Sequence, residues 1–218
     1  MTVYGNSASR EAARIRARAR RGVWRRVLAW AGLNRAARRA DARAAMWDHG
    51  AAGEAATVAL LAPLARQGWY LLHDRRLPGS RANLDHVLVS PCGTAVVVLD
   101  TKRWHRGRTT ALVRGRVCCG GEDRHGQIEK VAGYAARVEA AVGVPGVRVW
   151  PLLVVHGSVV AGGRLDARAP GWDGPVWVLG SGWLVPTLEA APAVRDPRRA
   201  AALADRVGRA LPEYGGAA

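Results

Sequence analysis

Three side chains within one short stretch carry the strongest chemical suggestion in this sequence. Asp85 lies in Asn83-Leu84-Asp85-His86, and Asp100 and Lys102 lie in Asp100-Thr101-Lys102. Both stretches read as β-strands, Asn83–Ser90 and Thr94–Lys102, with Pro91-Cys92-Gly93 as the turn between them. A hairpin centred between Cys92 and Gly93 sets Asp85 opposite Asp100, with Cβ atoms about 5 Å apart. Lys102, two residues further on, shares that face. The register is decisive, because a slip of one residue sends Asp85 to the other side.

Facing carboxylates repel unless something offsets them. A divalent cation does so, and Mg²⁺ takes a few carboxylate oxygens together with waters and substrate phosphates. Mn²⁺ is the natural substitute. Lys102 beside such an ion would hold an attacking water or stabilise charge in the transition state. Glu54 offers a third carboxylate. It falls on one helical stripe with Val58, Leu61 and Ala65 and so points inward, where a carboxylate needs a partner. The same residues have plainer readings: Asp85 bonded to backbone, Asp100 with Lys102 as a surface ion pair, and Glu54 complementing its helix dipole. Spacing leaves both sets open. His86 alternates with Asp85 and is expected to face the core on the opposite side.

The positioning elements follow from periodicity. A helix is expected over 51–67, with Pro63 kinking or dividing it. Strands are expected over 69–74, the two hairpin strands, 148–156 and 176–180, with a strand or hairpin over 109–119. The run Val96 to Leu99 is apolar on both faces, as in a central strand. Helices are expected over 126–142, 183–190 and 197–211. Trp104, His105 and Arg106 read as an exposed loop that could border a phosphate groove. This order predicts a mixed central sheet flanked by helices, an α/β fold.

Composition sets the partners. The chain has 218 residues, 33 basic against 17 acidic, and a formal charge of +16. Residues 1–48 hold twelve arginines against Glu11, Asp41 and Asp48, a surplus of nine. They read as a basic helical N-terminal arm, separate from a core over 49–218. Its segment 14–33 is amphipathic and suits nucleic acid, an anionic membrane surface or simple packing on the domain, with Trp24 and Trp30 as the residues to test for stacking or anchoring. It makes a poor signal peptide, because arginines resume at once after a short apolar stretch. No apolar run approaches the ~20 residues of a membrane span. The odd set Cys92, Cys118 and Cys119 fits neither a disulfide framework nor a zinc spacing, so a reducing cytoplasm is the expected compartment. Among all 33 basic residues only Lys102 and Lys130 are lysines. Where arginine is the default cation, a lysine marks a place that needs a compact ammonium.

Gly53-Glu54, Asn83-Leu84-Asp85-His86-Val87, Gly93-Thr94-Ala95-Val96 and Asp100-Thr101-Lys102 together resemble the nuclease-related domain (NERD) family. That family belongs to the PD-(D/E)XK restriction-endonuclease-like superfamily. The resemblance spans roughly residues 50–190. It implies a restriction-endonuclease-like core with Glu54, Asp85, Asp100 and Lys102 at the motif positions. It further implies that Gln127, opening the helix after the lysine motif, contacts metal, water or phosphate. Leu84 departs from the superfamily, which carries proline there, and the Cys118-Cys119-Gly120-Gly121 run matches no family feature. The expectation is a Mg²⁺-dependent nuclease acting on DNA, with RNA as the other substrate. The rival expectations are a non-catalytic nucleic-acid-binding module and a membrane-surface protein held by its basic arm.

Overall fold

A computed structural model describes residues 50–80, 82–190 and 194–215. The expected arm, with Trp24, Trp30 and the segment 14–33, lies outside the described residues. Contacts divide the chain into two compact units, Met1–Ala56 and Thr57–Ala218. The sheets and cores below belong to the second.

Residues 50–61 are helical (α1), and the helix tightens into a 3-10 turn over Ala62–Gln67. Pro63 sits at the start of that turn, where its missing N–H costs least, so it divides the expected helix as its chemistry requires. The inward stripe is shifted by about one position from the expected one. Thr57, Leu61 and Leu64 are buried, while Val58 is half-buried and Ala65 is exposed because the 3-10 turn rotates it outward.

The main sheet contains β1 (Tyr70–Arg76), β2 (Asn83–Val89), β3 (Ala95–Arg103), β7 (Arg148–His156), β10 (Val176–Gly180) and β9 (Arg164–Ala167), in that spatial order. β1, β2 and β3 form an antiparallel meander, and β7 lies parallel to both β3 and β10. The β3-to-β7 crossover contains α2 (His125–Val142), as a parallel connection demands. A second sheet has β6 (Glu122–Asp123), β5 (Arg116–Cys119), β4 (Thr109–Val113) and β8 (Val159–Val160), with β8 parallel to β4. Helices α3 (Ser181–Glu189) and α4 (Pro197–Ala210) follow β10. The mixed α/β fold expected from the sequence is therefore present.

Both faces of the main sheet are covered. Val87, Val89, Val96 and Val98 pack with Ala135, Val138 and Val142 of α2 and with Leu203 and Val207 of α4. Leu88, Val97 and Leu99 pack the other way, with Leu61, Leu64, Leu184 and Leu188. Period-two alternation assigns each strand residue to one of these layers. Trp104, expected on an exposed loop, is instead buried with Val117, Ile128 and Val155, while His105 and Arg106 are exposed. Its backbone N–H donates to His156 O at 2.9 Å, which pins the chain leaving β3 against the end of β7.

Candidate active site

The β2–β3 turn fixes the register on which the site depends. Ser90 N donates to Ala95 O at 3.0 Å and Gly93 N to Ser90 O at 2.9 Å. Gly93 has φ 63, and a Cβ there would come within 2.6 Å of the Arg199 and Ala200 backbone. Only glycine satisfies both the left-handed turn and that close approach. From this turn the ladder runs Val89↔Val96, Leu88↔Val97, Val87↔Val98 and His86↔Leu99. The next step of the same register is Asp85 opposite Asp100, the arrangement expected from the sequence.

At that step the backbone ladder gives way to a side chain. Asp85 Oδ2 accepts the Thr101 backbone N–H at 2.9 Å, so the carboxylate takes a donor that the strand would otherwise offer to its neighbour. On the other edge of β2 the rungs run His73↔His86 and then Arg75↔Leu84, passing over Asp74 and Asp85. Asp74 there has φ 49. Aspartate tolerates this left-handed conformation better than most residues. Asp74 Oδ1 also accepts from Asn83 Nδ2 at 3.0 Å. Strict alternation slackens at the same place, since Leu84 packs in the same layer as Val87.

Asp100 is buried, 4% exposed, on the α2 side of β3. Lys102 Nζ forms an ion pair with its Oδ2 and donates to Thr101 O at 3.1 Å. The buried Oδ2 thus has an ionic partner but no hydrogen bond. Lys130 of α2 brings a second ammonium to 3.8 Å from Asp100 Oδ1. Its Nζ also stands 5.2 Å from the centre of the Tyr134 ring, one helical turn on. Burial alone would lower the Lys130 pKa. The charges of Asp100, Tyr134 and Asp85 together with a Tyr134 hydrogen bond outweigh it, so the pKa rises and the group stays cationic. Both strand carboxylates therefore act on the same ammonium.

Composition had singled out Lys130 without giving it a place. The only two lysines of the chain converge on Asp100. Spacing along β2 and β3 could not show this, because Lys130 arrives from a helix 30 residues after Asp100. Gln127 is half-buried in the first turn of α2, one turn before Lys130. Glu54 is half-buried on α1 and belongs to the first unit. Two of the plainer readings are also physical: Asp85 does accept from backbone, and Asp100 does pair with Lys102. In that pair Asp100 is buried and Lys102 half-buried.

His86 faces the opposite layer, as expected, and is 2% exposed. Its Nδ1 lies 2.8 Å from His73 Nδ1, so one proton is shared between the two rings. Its Nε2 lies 3.3 Å from Thr101 Oγ1, which donates to Thr57 Oγ1 at 3.0 Å. Thr57 Oγ1 is in turn 2.8 Å from His156 Nε2. Burial, then the neighbouring His73 and His156, pushes the His86 pKa down to about 3. Burial also lowers His73, against the opposing charge of Asp74, and lowers His156 together with Arg103. This neutral polar chain backs Thr101, the residue between Asp100 and Lys102.

Among the described residues no group of three or more His, Cys, Asp and Glu side chains could hold a metal as a ready-made cluster. The available carboxylates are the strand pair. Among the same residues no helix is long and apolar enough to cross a membrane. No curated protein and no solved structure matches the chain. The family model for the nuclease-related domain matches residues 49–156 and makes the function nuclease-related. Residues 49–156, which carry β1 through β7 and the Asp85, Asp100, Lys102 and Lys130 side chains, belong to the nuclease-related domain (NERD) family.

Proposed function

We propose that the chain is a Mg²⁺-dependent nuclease that hydrolyses phosphodiester bonds in DNA with little sequence specificity. One observation carries this reading: the only two ammonium side chains of the sequence converge on Asp100, and Asp85 of the adjoining strand acts on one of them, Lys130. The donor set fits the ion. Carboxylate oxygens suit Mg²⁺ or Mn²⁺ rather than a soft metal, and the buried Asp100 Oδ2 has an ionic partner but no hydrogen bond. Asp85 and Asp100 would hold the cation. Bound there, Mg²⁺ would acidify a coordinated water and neutralise charge on the phosphate.

The chain's own groups do the positioning. Lys102 spends one donor on Thr101 O and lies against Asp100, leaving a donor to hold the nucleophilic water. Lys130, with an exposed side chain, is placed to take a non-bridging phosphate oxygen. Gln127, a turn earlier, adds an amide to the same helix end. Phosphate contacts of this kind carry no sequence information, hence the low specificity. The three free thiols favour a reducing, cytoplasmic setting.

Purified protein with supercoiled plasmid and Mg²⁺ should nick it, and Asp100→Asn or Lys102→Ala should cut the rate by about 10²–10³ while binding persists. A second reading has one specific observation behind it, since Asp100 is already balanced by two lysines. That state suits a binding module that retains the fold. No cleavage of DNA or RNA with either Mg²⁺ or Mn²⁺ would favour it. Sedimentation with anionic vesicles that depends on residues 14–33 would instead favour the membrane reading.

A further inference from the structure

The chain leaving Lys102 builds a ribbon whose composition is unusual for this protein. From Thr101 to Gly121 there is no acidic residue, and the segment holds Lys102, Arg103, Arg106, Arg108, Arg114 and Arg116. β4 and β5 pair as a tight hairpin with Leu112↔Val117 and Val113↔Arg116, closed by Arg114 and Gly115 at φ 50 and 78. Two consecutive left-handed residues make the turn that matches strand twist. Every residue from Leu112 to Arg116 is exposed, with Leu112 at 40% and Val113 at 51%. By alternation Leu112 and Val113 stand on opposite faces of the ribbon. The tip is therefore apolar on both sides and capped by an arginine.

The cations of the ribbon and its approach fall into two sets. Arg108 and Arg124 pair with Glu122, and Arg116 pairs with Asp123, so the two carboxylates of β6 neutralise these arginines. Arg103, Arg106 and Arg114 make no ion pair among the described residues. The base is also held firmly. Thr110 Oγ1 lies 2.8 Å from Ser158 Oγ, which donates to Arg108 O at 2.7 Å, and Ala161 N donates to Thr110 O at 2.9 Å. The tip is thus presented by a rigid root, which lowers the cost of ordering it on a partner.

We infer that the β4–β5 hairpin inserts into a groove of double-stranded nucleic acid, with Leu112 and Val113 against the base edges and Arg103, Arg106 and Arg114 on the phosphates. A two-stranded ribbon fits a duplex groove, and aliphatic wedges flanked by arginine are a recurrent way to enter one. A flat protein partner would call for apolar side chains on one face, not on both. Single strands are gripped by aromatic stacking, and the exposed tip has no aromatic residue. This assignment rests on the nucleic-acid reading of the site and deepens it, naming duplex as the substrate class.

The test uses the full chain and short labelled DNA, duplex or single-stranded with the same sequence, without divalent metal so that nothing is cut. Leu112→Ser/Val113→Ser and Arg114→Gly, which keeps the left-handed turn, are compared with the native chain by fluorescence anisotropy and by size exclusion. The double variant should weaken duplex binding about tenfold and single-strand binding much less. Arg114→Gly should lower the salt slope of duplex binding by about one. Equal losses on both forms, no loss on either, or a change in oligomeric state would overturn the assignment. Because cleavage plays no part, a chain that never cuts but still shows the duplex-selective loss refutes the nuclease and keeps the hairpin.

Discussion

At the residue scale, Asp85 has two separable tasks, accepting the Thr101 N–H and contributing charge to the site. Asp85→Asn retains an acceptor and should leave the urea midpoint nearly unchanged while abolishing cleavage. Asp85→Ala leaves a backbone donor without its partner and should cost about 1–3 kcal/mol as well. Equal destabilisation by the two variants would mean that the charge itself holds the strands. Lys130→Ala should lower kcat/KM about tenfold through lost phosphate contact. Lys130→Arg should rescue only in part, because the longer guanidinium spreads its charge and cannot place a compact ammonium at the 3.8 Å point beside Asp100 Oδ1. The carboxylate pair was legible in the sequence because a hairpin is local and its turn counts out the register. Lys130 was not, since a helix-to-strand contact has no spacing rule. Its only trace was that lysine is so scarce in this chain.

At the element scale, the β2–β3 turn and the histidine chain behind β3 are the two supports. Gly93→Ala puts a methyl group into the α4 backbone at a left-handed φ and should destabilise by about 2–4 kcal/mol in chemical denaturation. A neutral result would mean that the turn does not bear on α4. The histidines give a pH signature with a definite sign. His86 titrates at about 3 when folded and near 6.5 when unfolded, so below 6.5 the unfolded chain binds the extra proton. Its contribution to stability is complete above pH 6.5 and falls by about 1.4 kcal/mol per pH unit on the way down. Urea unfolding between pH 6.5 and 5 should show this slope, with His73 and His156 adding to it in the same sense, and His86→Gln should reduce it. An unchanged slope would place the titrating group elsewhere. The strand and helix positions were legible here because apolar periodicity is strong from β1 to β7 and in α2. The stretch from Gly157 to Pro175 was not, because β8 and β9 are two and four residues long and lie among glycines. Such strands exist only through pairing with distant partners.

At the scale of the whole molecule, a formal charge of +16 predicts sequence-independent DNA binding that weakens steeply with salt. Raising salt from about 50 to 200 mM should cost about 10³ in affinity if six or more phosphates are engaged. A flat salt response would remove the polyanion partner. The layering of the main sheet was legible as a class, an α/β fold with helices on both faces. Its spatial order was not, because β7 docks between β3 and β10 across an intervening sheet and helix. The site lies on β2, β3 and α2, so β7 matters to it chiefly as the wall that keeps β3 straight from Ala95 to Arg103. All of the proposed chemistry comes down to one cation held between two strands. A crystal of the full chain soaked in Mn²⁺ tests that directly through anomalous scattering. A peak within coordination distance of both Asp85 and Asp100, with Lys102 and Lys130 drawn back from Asp100, is the predicted result. Saturating Mn²⁺ with no peak there, and both lysines still closed on Asp100, would contradict it.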